Sequence, residues 1–296
     1  MSQYGAPEHF ILHISDTHFV ADNELLHGSV DSDANLARLF ERLERAGQRP
    51  EALVFTGDLA DAGDPQAYAR LRAIVEPAAE KIGAKVIWVM GNHDNRETFR
   101  SGLLDAEPTQ ESVDAVYDLD GLRLIVLDST VPGKHHGEIT DEQLVWLREV
   151  LAEPAPHGSL LALHHPPVPS PLELLELVDL KEQHRLEEVL RGSDVRGILG
   201  GHLHYSTSCT FADIPVSVAS ATCYSQDLIG ADGGLRGENG GQSFNLVHVY
   251  GDRVLHSVVP LAESPTVYEM SIETLRAFQA LDPEEQLRVM ADSANR

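Results

Sequence analysis

Short apolar runs recur along the chain, separated by segments whose apolar residues return every three or four positions. Residues 10–14, 52–56 and 85–90 are such runs and read as strands. Between them, residues 34–46 place Leu36, Leu39, Phe40 and Leu43 on one helical face, and residues 65–81 open with a proline in the first helical turn. This β-α-β-α-β beginning predicts a layered α/β core. The middle departs from it. Residues 115–119 and 122–127 flank Asp120 and Gly121, a pair suited to a tight type I′ hairpin turn. Residues 141–151 read as a helix, and 159–163 and 196–199 as strands with helical segments between them. A hairpin of 207–211 and 216–220 follows, turning at 212–215, then a Gly-rich stretch, 230–241, and a closing hairpin of 242–250 and 253–260. The pattern predicts two sheets flanked by helices in one domain, residues 1–261. Residues 262–296 form a separate helical tail, with Asp282 as N-cap, Pro283 at the first helical position and Glu285 at the third. The tail is expected to dock on the body or on a second subunit.

Composition narrows the possible partners. The 296 residues carry 47 Asp and Glu against 22 Lys and Arg, a formal charge of −25. That balance argues against polymeric nucleic acid and anionic membranes, which need basic residues to displace counterions. A small anionic substrate held at a locally positive site remains compatible with it. The two cysteines, Cys209 and Cys223, form no disulfide framework, and in the expected hairpin register Cys209 faces Val218. Free thiols, with no basic and apolar leader at the N-terminus, point to the reducing cytoplasm. No run of about 18 apolar residues is present, so no transmembrane helix is expected.

The chain also holds 15 histidines, and several follow strands. Asp16 and His18 follow the first strand, Asp58 the second, and Asn92, His93 and Asp94 the third. His164 and His165 follow a fourth, and His202 and His204 a fifth. In α/β sheets the carboxyl ends of strands line the ligand crevice, so these residues are expected to converge. In extended backbone, residues two apart face the same side, which would let Asp16 and His18 reach one ion together and His202 and His204 converge. Oxygen and imidazole ligands suit Mn, Fe, Zn, Co or Ni. Seven such side chains suit two ions about 3.5–4 Å apart that share a carboxylate. The expected first ion takes Asp16, His18, Asp58 and His204. The second takes Asp58, Asn92, His164 and His202, with Asp58 as the bridge.

The motifs resemble those of calcineurin-like metallophosphoesterases: Asp16-Thr17-His18, Gly57-Asp58-Leu59-Ala60-Asp61, Gly91-Asn92-His93-Asp94, His164, and Gly201-His202-Leu203-His204. The resemblance implies a four-layer αββα sandwich of two mixed sheets. It supports two transition-metal ions, Fe or Mn before Zn, Co or Ni. It also implies that Asn92, His93 and His204 meet the substrate phosphate and that His93 assists the leaving group. Asp61 stands where purple acid phosphatases carry a metal-binding tyrosine, so no charge-transfer colour is expected. The resemblance is strongest to bacterial class III cyclic nucleotide phosphodiesterases, the actinobacterial cyclic-AMP enzymes above all. It covers the chain to about Leu261 and includes His135, His136 and Tyr205.

The implied reaction is hydrolysis of a 3′,5′-cyclic nucleotide, cyclic AMP first, by in-line attack of a bridging hydroxide. A homodimer is the implied assembly. Hydrolysis of 2′,3′-cyclic nucleotides or glycerophosphodiesters is the alternative, and a metal-free interaction scaffold a remote one. Asp94 reads either as the residue orienting His93 or as a turn cap. Asp61 is expected to hydrogen-bond a ligand histidine. His165 is expected to be structural, His13 packed, and His136 part of a polar loop, 132–137, that could overhang the site.

Overall fold

A computed structural model describes residues 4–230 and 234–293. The strands and helices run β1 (His9–Ile14), α1 (Ser32–Arg45), β2 (Ala52–Thr56), α2 (Pro65–Ile82), β3 (Lys85–Val89), α3 (Arg96–Leu103), β4 (Ala115–Leu119), β5 (Leu122–Val126), α4 (Asp141–Val150) and β6 (Ser159–Ala162). They continue with α5 (Gln183–Leu190), β7 (Val195–Gly200), β8 (Thr207–Phe211), β9 (Ile214–Val218), β10 (Ser225–Gln226), β11 (Gly237–Glu238), β12 (Ser243–Tyr250), β13 (Arg253–Pro260), α6 (Ile272–Gln279) and α7 (Pro283–Ser293).

Two mixed sheets carry the fold. One has the order β13-β12-β1-β2-β3, with β1, β2 and β3 parallel; the other has the order β4-β5-β6-β7-β9-β8, with β5, β6, β7 and β9 parallel. Successive residues of a strand face opposite sides, and here both sides are apolar. Ile11, Val54 and Ile87 point into a layer that also holds Leu124, Leu160 and Leu199 of the second sheet. Leu12, Leu53 and Phe55 point the other way, onto Leu36 and Leu39 of α1 and Leu71 and Val75 of α2. The second sheet repeats the arrangement, with Ile125, Leu161 and Ile198 against Leu144 and Leu147 of α4 and Leu186 and Leu190 of α5. Three apolar layers separate four layers of structure, so the αββα sandwich is the observed fold.

The helices start where their sequences allow. The Asp31 carboxylate accepts from Ala34 N, and Thr140 and Gln143 close a reciprocal capping box on α4. The turn at Asp120 and Gly121 has positive φ at both positions (51° and 97°), as type I′ requires.

Two departures have physical reasons. The β8–β9 turn falls at Ala212 and Asp213, both with positive φ, so Cys209 faces Val216 and not Val218. The apolar run 216–220 masked a strand that begins earlier, at Ile214 and Pro215. Helix α3 was not expected, because its eight residues bury only Phe99 and Leu103. Both cysteines are free thiols, Cys209 exposed and Cys223 buried. The chain divides into two compact units, at Ala262 and Glu263. The second consists of α6, capped by Ser271, and α7, before which Asp282 accepts from Glu285 N. Part of the Gly-rich stretch, 231–233, and the end of the tail, 294–296, lie outside the described residues. Among the described residues no helix is long and apolar enough to cross a membrane.

Candidate metal centre

The expected ligands gather at the carboxyl ends of β1, β2, β3, β6 and β7, but not by the geometry read from their spacing. Asp16, His18, Asp58, His202 and His204 all have positive φ, at 51°, 42°, 50°, 71° and 56°. The chain leaves β1, β2 and β7 through left-handed residues, a conformation that non-glycine residues adopt at a cost and that clusters at functional sites. Asp16 and His18 converge through these turns and not through extended alternation. Close backbone approach permits them. A Cβ on Gly91 would lie 2.1 Å from Asp58 N, and one on Gly201 would lie 1.9 Å from Ser15 Oγ.

Hydrogen bonds fix which atom of each imidazole faces inward. The Nδ1–H of His18 donates to Asp61 Oδ1 (2.9 Å), that of His164 to the Thr56 carbonyl (2.7 Å) and that of His204 to the Tyr224 carbonyl (3.1 Å). His202 donates through Nε2 to the Val178 carbonyl (3.1 Å). The inward nitrogens are therefore the lone-pair atoms, and they face other acceptors. His18 Nε2 lies 3.2 Å from His204 Nε2, and His204 Nε2 lies 3.4 Å from Asp16 Oδ1. His164 Nε2 lies 3.1 Å from Asn92 Oδ1. Asp58 Oδ2 stands 3.5 Å from His18 Nε2 and 3.3 Å from His164 Nε2, within reach of both groups. Acceptors packed against acceptors in a buried site require positive charge between them.

The ionisation of the cluster gives the same answer. Burial works against a charged His18, but its hydrogen bonds to Asp58 and Asp61 overcome that and hold it up at about 10. Burial is likewise outweighed by Asp58 and Asp16 at His164, held up at about 9. His202, by contrast, is driven down to about 3 by burial and by His164. Burial lifts the Asp16 carboxyl to about 6. A site that draws protons onto buried imidazoles is short of cations, and metal ions compete for the same lone pairs. Ligand atoms of Asp16, His18, Asp58 and His204 lie within 4.8 Å of one another, as do those of His164, His165 and His202. The residues present thus fit two ions, with Asp58 placed between them.

The surroundings sort the remaining residues. The backbone N–H of His93 donates to Asp58 Oδ1 (2.8 Å), and its Nδ1–H donates to the Asp61 carbonyl (2.8 Å). Its side chain is 34% exposed, at the rim of a buried cluster. Asp61 therefore holds His18 through its carboxylate and His93 through its main chain. Of the two readings of Asp94, as a catalytic residue orienting His93 or as a turn cap, the hydrogen bonds fit the cap. The Asp94 carboxylate accepts from Leu59 N, Ala60 N, Gly91 N and Tyr68 Oη, which ties the Asp58 loop to the Asn92 loop. Four donors converge on it because two strand-end turns pass through one point.

The histidine of loop 132–137 that meets the site is His135, not His136. His135 Nδ1 accepts from Asn92 Nδ2 (3.1 Å), whereas His136 pairs with Glu138 (3.0 Å). His165 is buried between Ser129 Oγ and the His135 carbonyl and supports that loop. His13 is buried and bonds Thr56 Oγ1 (2.9 Å), and Tyr205 braces the fold through Ser170. Sequence reasoning missed Tyr224, whose ring lies 4.4 Å from that of His204, and Cys223, whose Sγ is 3.7 Å from His204 Nδ1. Burial pushes that thiol well above its ordinary range, and it stays neutral. Neither residue sits in a motif, and only chain folding brings them to the site.

Comparison with known proteins gives the family of the chain. A probable cyclic nucleotide phosphodiesterase of Rhodococcus erythropolis is 60% identical over 90% of this chain and 89% of that one. A cAMP/cGMP dual specificity phosphodiesterase of Mycobacterium tuberculosis is 57% identical over 90% of this chain and 84% of its own. The crystal structure of a dimetal phosphatase from Danio rerio superposes with a TM-score of 0.61 at 17% identity, covering 87% of this chain and 98% of that one, and so shares the fold. The calcineurin-like phosphoesterase signature matches residues 11–206. With that match spanning β1 to the loop after β7, and with both sheets and all the strand-end motifs in place, the chain belongs to the calcineurin-like phosphoesterase family.

Proposed function

We propose that the chain is a metal-dependent phosphodiesterase that opens the 3′,5′-diester of cyclic nucleotides, cyclic AMP first. One observation carries the reading: two abutting sets of buried acceptors meet at Asp58 Oδ2, with His93 at their exposed rim. The relatives from Rhodococcus and Mycobacterium, named as cyclic nucleotide phosphodiesterases, support the substrate class. Asp16, His18, Asp58 and His204 would hold one ion, and Asp58, Asn92, His164 and His202 the other. Bound there, Fe or Mn ions would supply Lewis acidity to the diester oxygens and a water acidic enough to act as nucleophile near neutral pH. The chain's own residues do the rest. Asn92, His93 and His204 orient the phosphate. His93 uses Nδ1 on the Asp61 carbonyl, which leaves Nε2 to pass a proton to the departing ribose oxygen. A cytoplasmic homodimer completes the proposal, and sedimentation analysis measures the assembly.

The test is a substrate panel with the Mn-loaded protein: 3′,5′-cyclic nucleotides, 2′,3′-cyclic nucleotides, glycerophosphodiesters and a phosphomonoester. The highest kcat/KM is expected on a 3′,5′-cyclic nucleotide. Preference for the monoester, or no turnover of any diester, would overturn the reading.

A further inference from the structure

Beside the metal centre a cleft of about 410 Å³ opens between the loop before α1 and the two-stranded β10–β11 ribbon. His27, Val30, Tyr224, Gln226, Leu235 and Asn239 line it. Tyr224 is the wall shared with the centre. Its carbonyl fixes His204, its ring stands 4.4 Å from the His204 ring and 6.3 Å from the His18 ring, and the His27 ring lies 5.5 Å away on the cleft side. The ribbon reaches Tyr224 because β11 carries a glycine there: a Cβ on Gly237 would lie 2.8 Å from the ring.

Two features make this more than a surface hollow. Its volume and its mixture of aromatic and apolar walls with a few polar groups are those of a small-molecule site. And one polar atom is left over. The Gln226 amide oxygen is buried without a hydrogen-bond partner among the described residues, although Gln226 N is bonded to the His204 carbonyl (3.1 Å). The neighbouring amides are engaged: Asn239 donates to the Ser29 carbonyl and accepts from Gln242. A buried amide oxygen without a donor is unfavourable unless a ligand supplies one.

We infer that this cleft holds the purine base of the nucleotide and that Gln226 reads the base edge. The inference rests on the function proposed above. A flat base fits against the Tyr224 ring, with Leu235 and Val30 as further apolar walls. The carboxamide presents one acceptor beside one donor, which matches the exocyclic N–H and adjacent ring nitrogen of adenine; turned over, it meets guanine. A carboxylate at this position would only accept, and would favour the two donors on the guanine edge.

The experiment uses bis(p-nitrophenyl) phosphate, a diester without a base, as reporter in the Mn-loaded protein. Inhibition by 5′-AMP is compared with inhibition by ribose 5-phosphate, and cyclic AMP and cyclic GMP turnover are measured in parallel. In the wild type, 5′-AMP is expected to inhibit about tenfold better than ribose 5-phosphate. Gln226→Ala should remove that advantage and raise KM for cyclic AMP about tenfold, with reporter hydrolysis unchanged. Gln226→Glu should shift the ratio of cyclic GMP to cyclic AMP turnover toward guanine. Equal inhibition by the two ligands in the wild type would overturn the base site. So would a Gln226→Ala loss that falls equally on the reporter. An AMP advantage abolished by Gln226→Ala, in a protein that hydrolyses no cyclic nucleotide, would sustain the base site and overturn the proposed reaction instead.

Discussion

Asp61 ligates no ion in the proposed centre, yet its removal should weaken metal binding more than most surface changes could. Its carboxylate takes the Nδ1–H of His18 at 2.9 Å, and the His18 side chain is only 3% exposed. Asp61→Ala leaves two outcomes for the imidazole. The proton stays on Nδ1 as a buried donor without a partner, at about 1–3 kcal/mol. Or it moves to Nε2 and occupies the lone pair that faces His204 at 3.2 Å. Either route predicts a loss of about 10–100-fold in metal affinity, the usual effect of removing a group that orients a ligand histidine. That range corresponds to about 1.4–2.8 kcal/mol, the same size as the lost hydrogen bond. Asp61→Asn keeps an acceptor oxygen and should lose less than Asp61→Ala. The assay is Mn titration of chelator-stripped protein, read by diester hydrolysis and by metal content after gel filtration. Metal affinity in Asp61→Ala within about twofold of wild type would refute the orienting role, since the predicted range begins at about tenfold.

Four further outcomes follow from the same geometry. Asn92→Ala should drop metal content from two ions per chain toward one and remove most activity, because Asn92 Oδ1 is the acceptor facing His164 Nε2; retention of both ions would sink that assignment. Asp94→Ala should be a stability variant first: it strands the N–H groups of Leu59, Ala60 and Gly91, and denaturant unfolding should show a loss of about 3 kcal/mol or more. Gly91→Ala must displace the Asp58 backbone, since the added Cβ would meet Asp58 N and Oδ1 at 2.1 and 2.2 Å, and metal analysis should find both ions weakened together. Burial lowers His256 to about 4 from 6.5, so the unfolded chain takes up a proton before the native one does; the stability this provides is present above pH 6.5 and lost as pH falls toward 4, by about 3 kcal/mol, and His256→Phe should flatten urea-unfolding stability across that window.

Much of this molecule is local in origin and therefore legible in the chain. Five-residue apolar runs such as 52–56 became strands because they can be covered on both faces, and Asp120-Gly121 turns because its φ angles demand it. The residues that gather at the candidate centre were legible too, since in each of the two sheets the parallel strands deliver their carboxyl ends to one edge. Spacing alone did not carry how they meet. Asp16 and His18 approach through left-handed turns, and Gly201 lets its loop press against Ser15 and Asp16 as Gly91 does against Asp58. The role of Asp94 was settled by two loops crossing, and the choice of His135 over its neighbour by the path of loop 132–137 over Asn92. The acidic total of −25 likewise hides a centre where buried acceptors face one another and call for cations. The sequence by itself determined the layers, the strand ends and the residue types assembled there, because these depend on local propensity and periodicity. Tertiary structure decided tautomers, the supporting residues and the cleft beside Tyr224, because each depends on which distant backbone atoms come within hydrogen-bond reach.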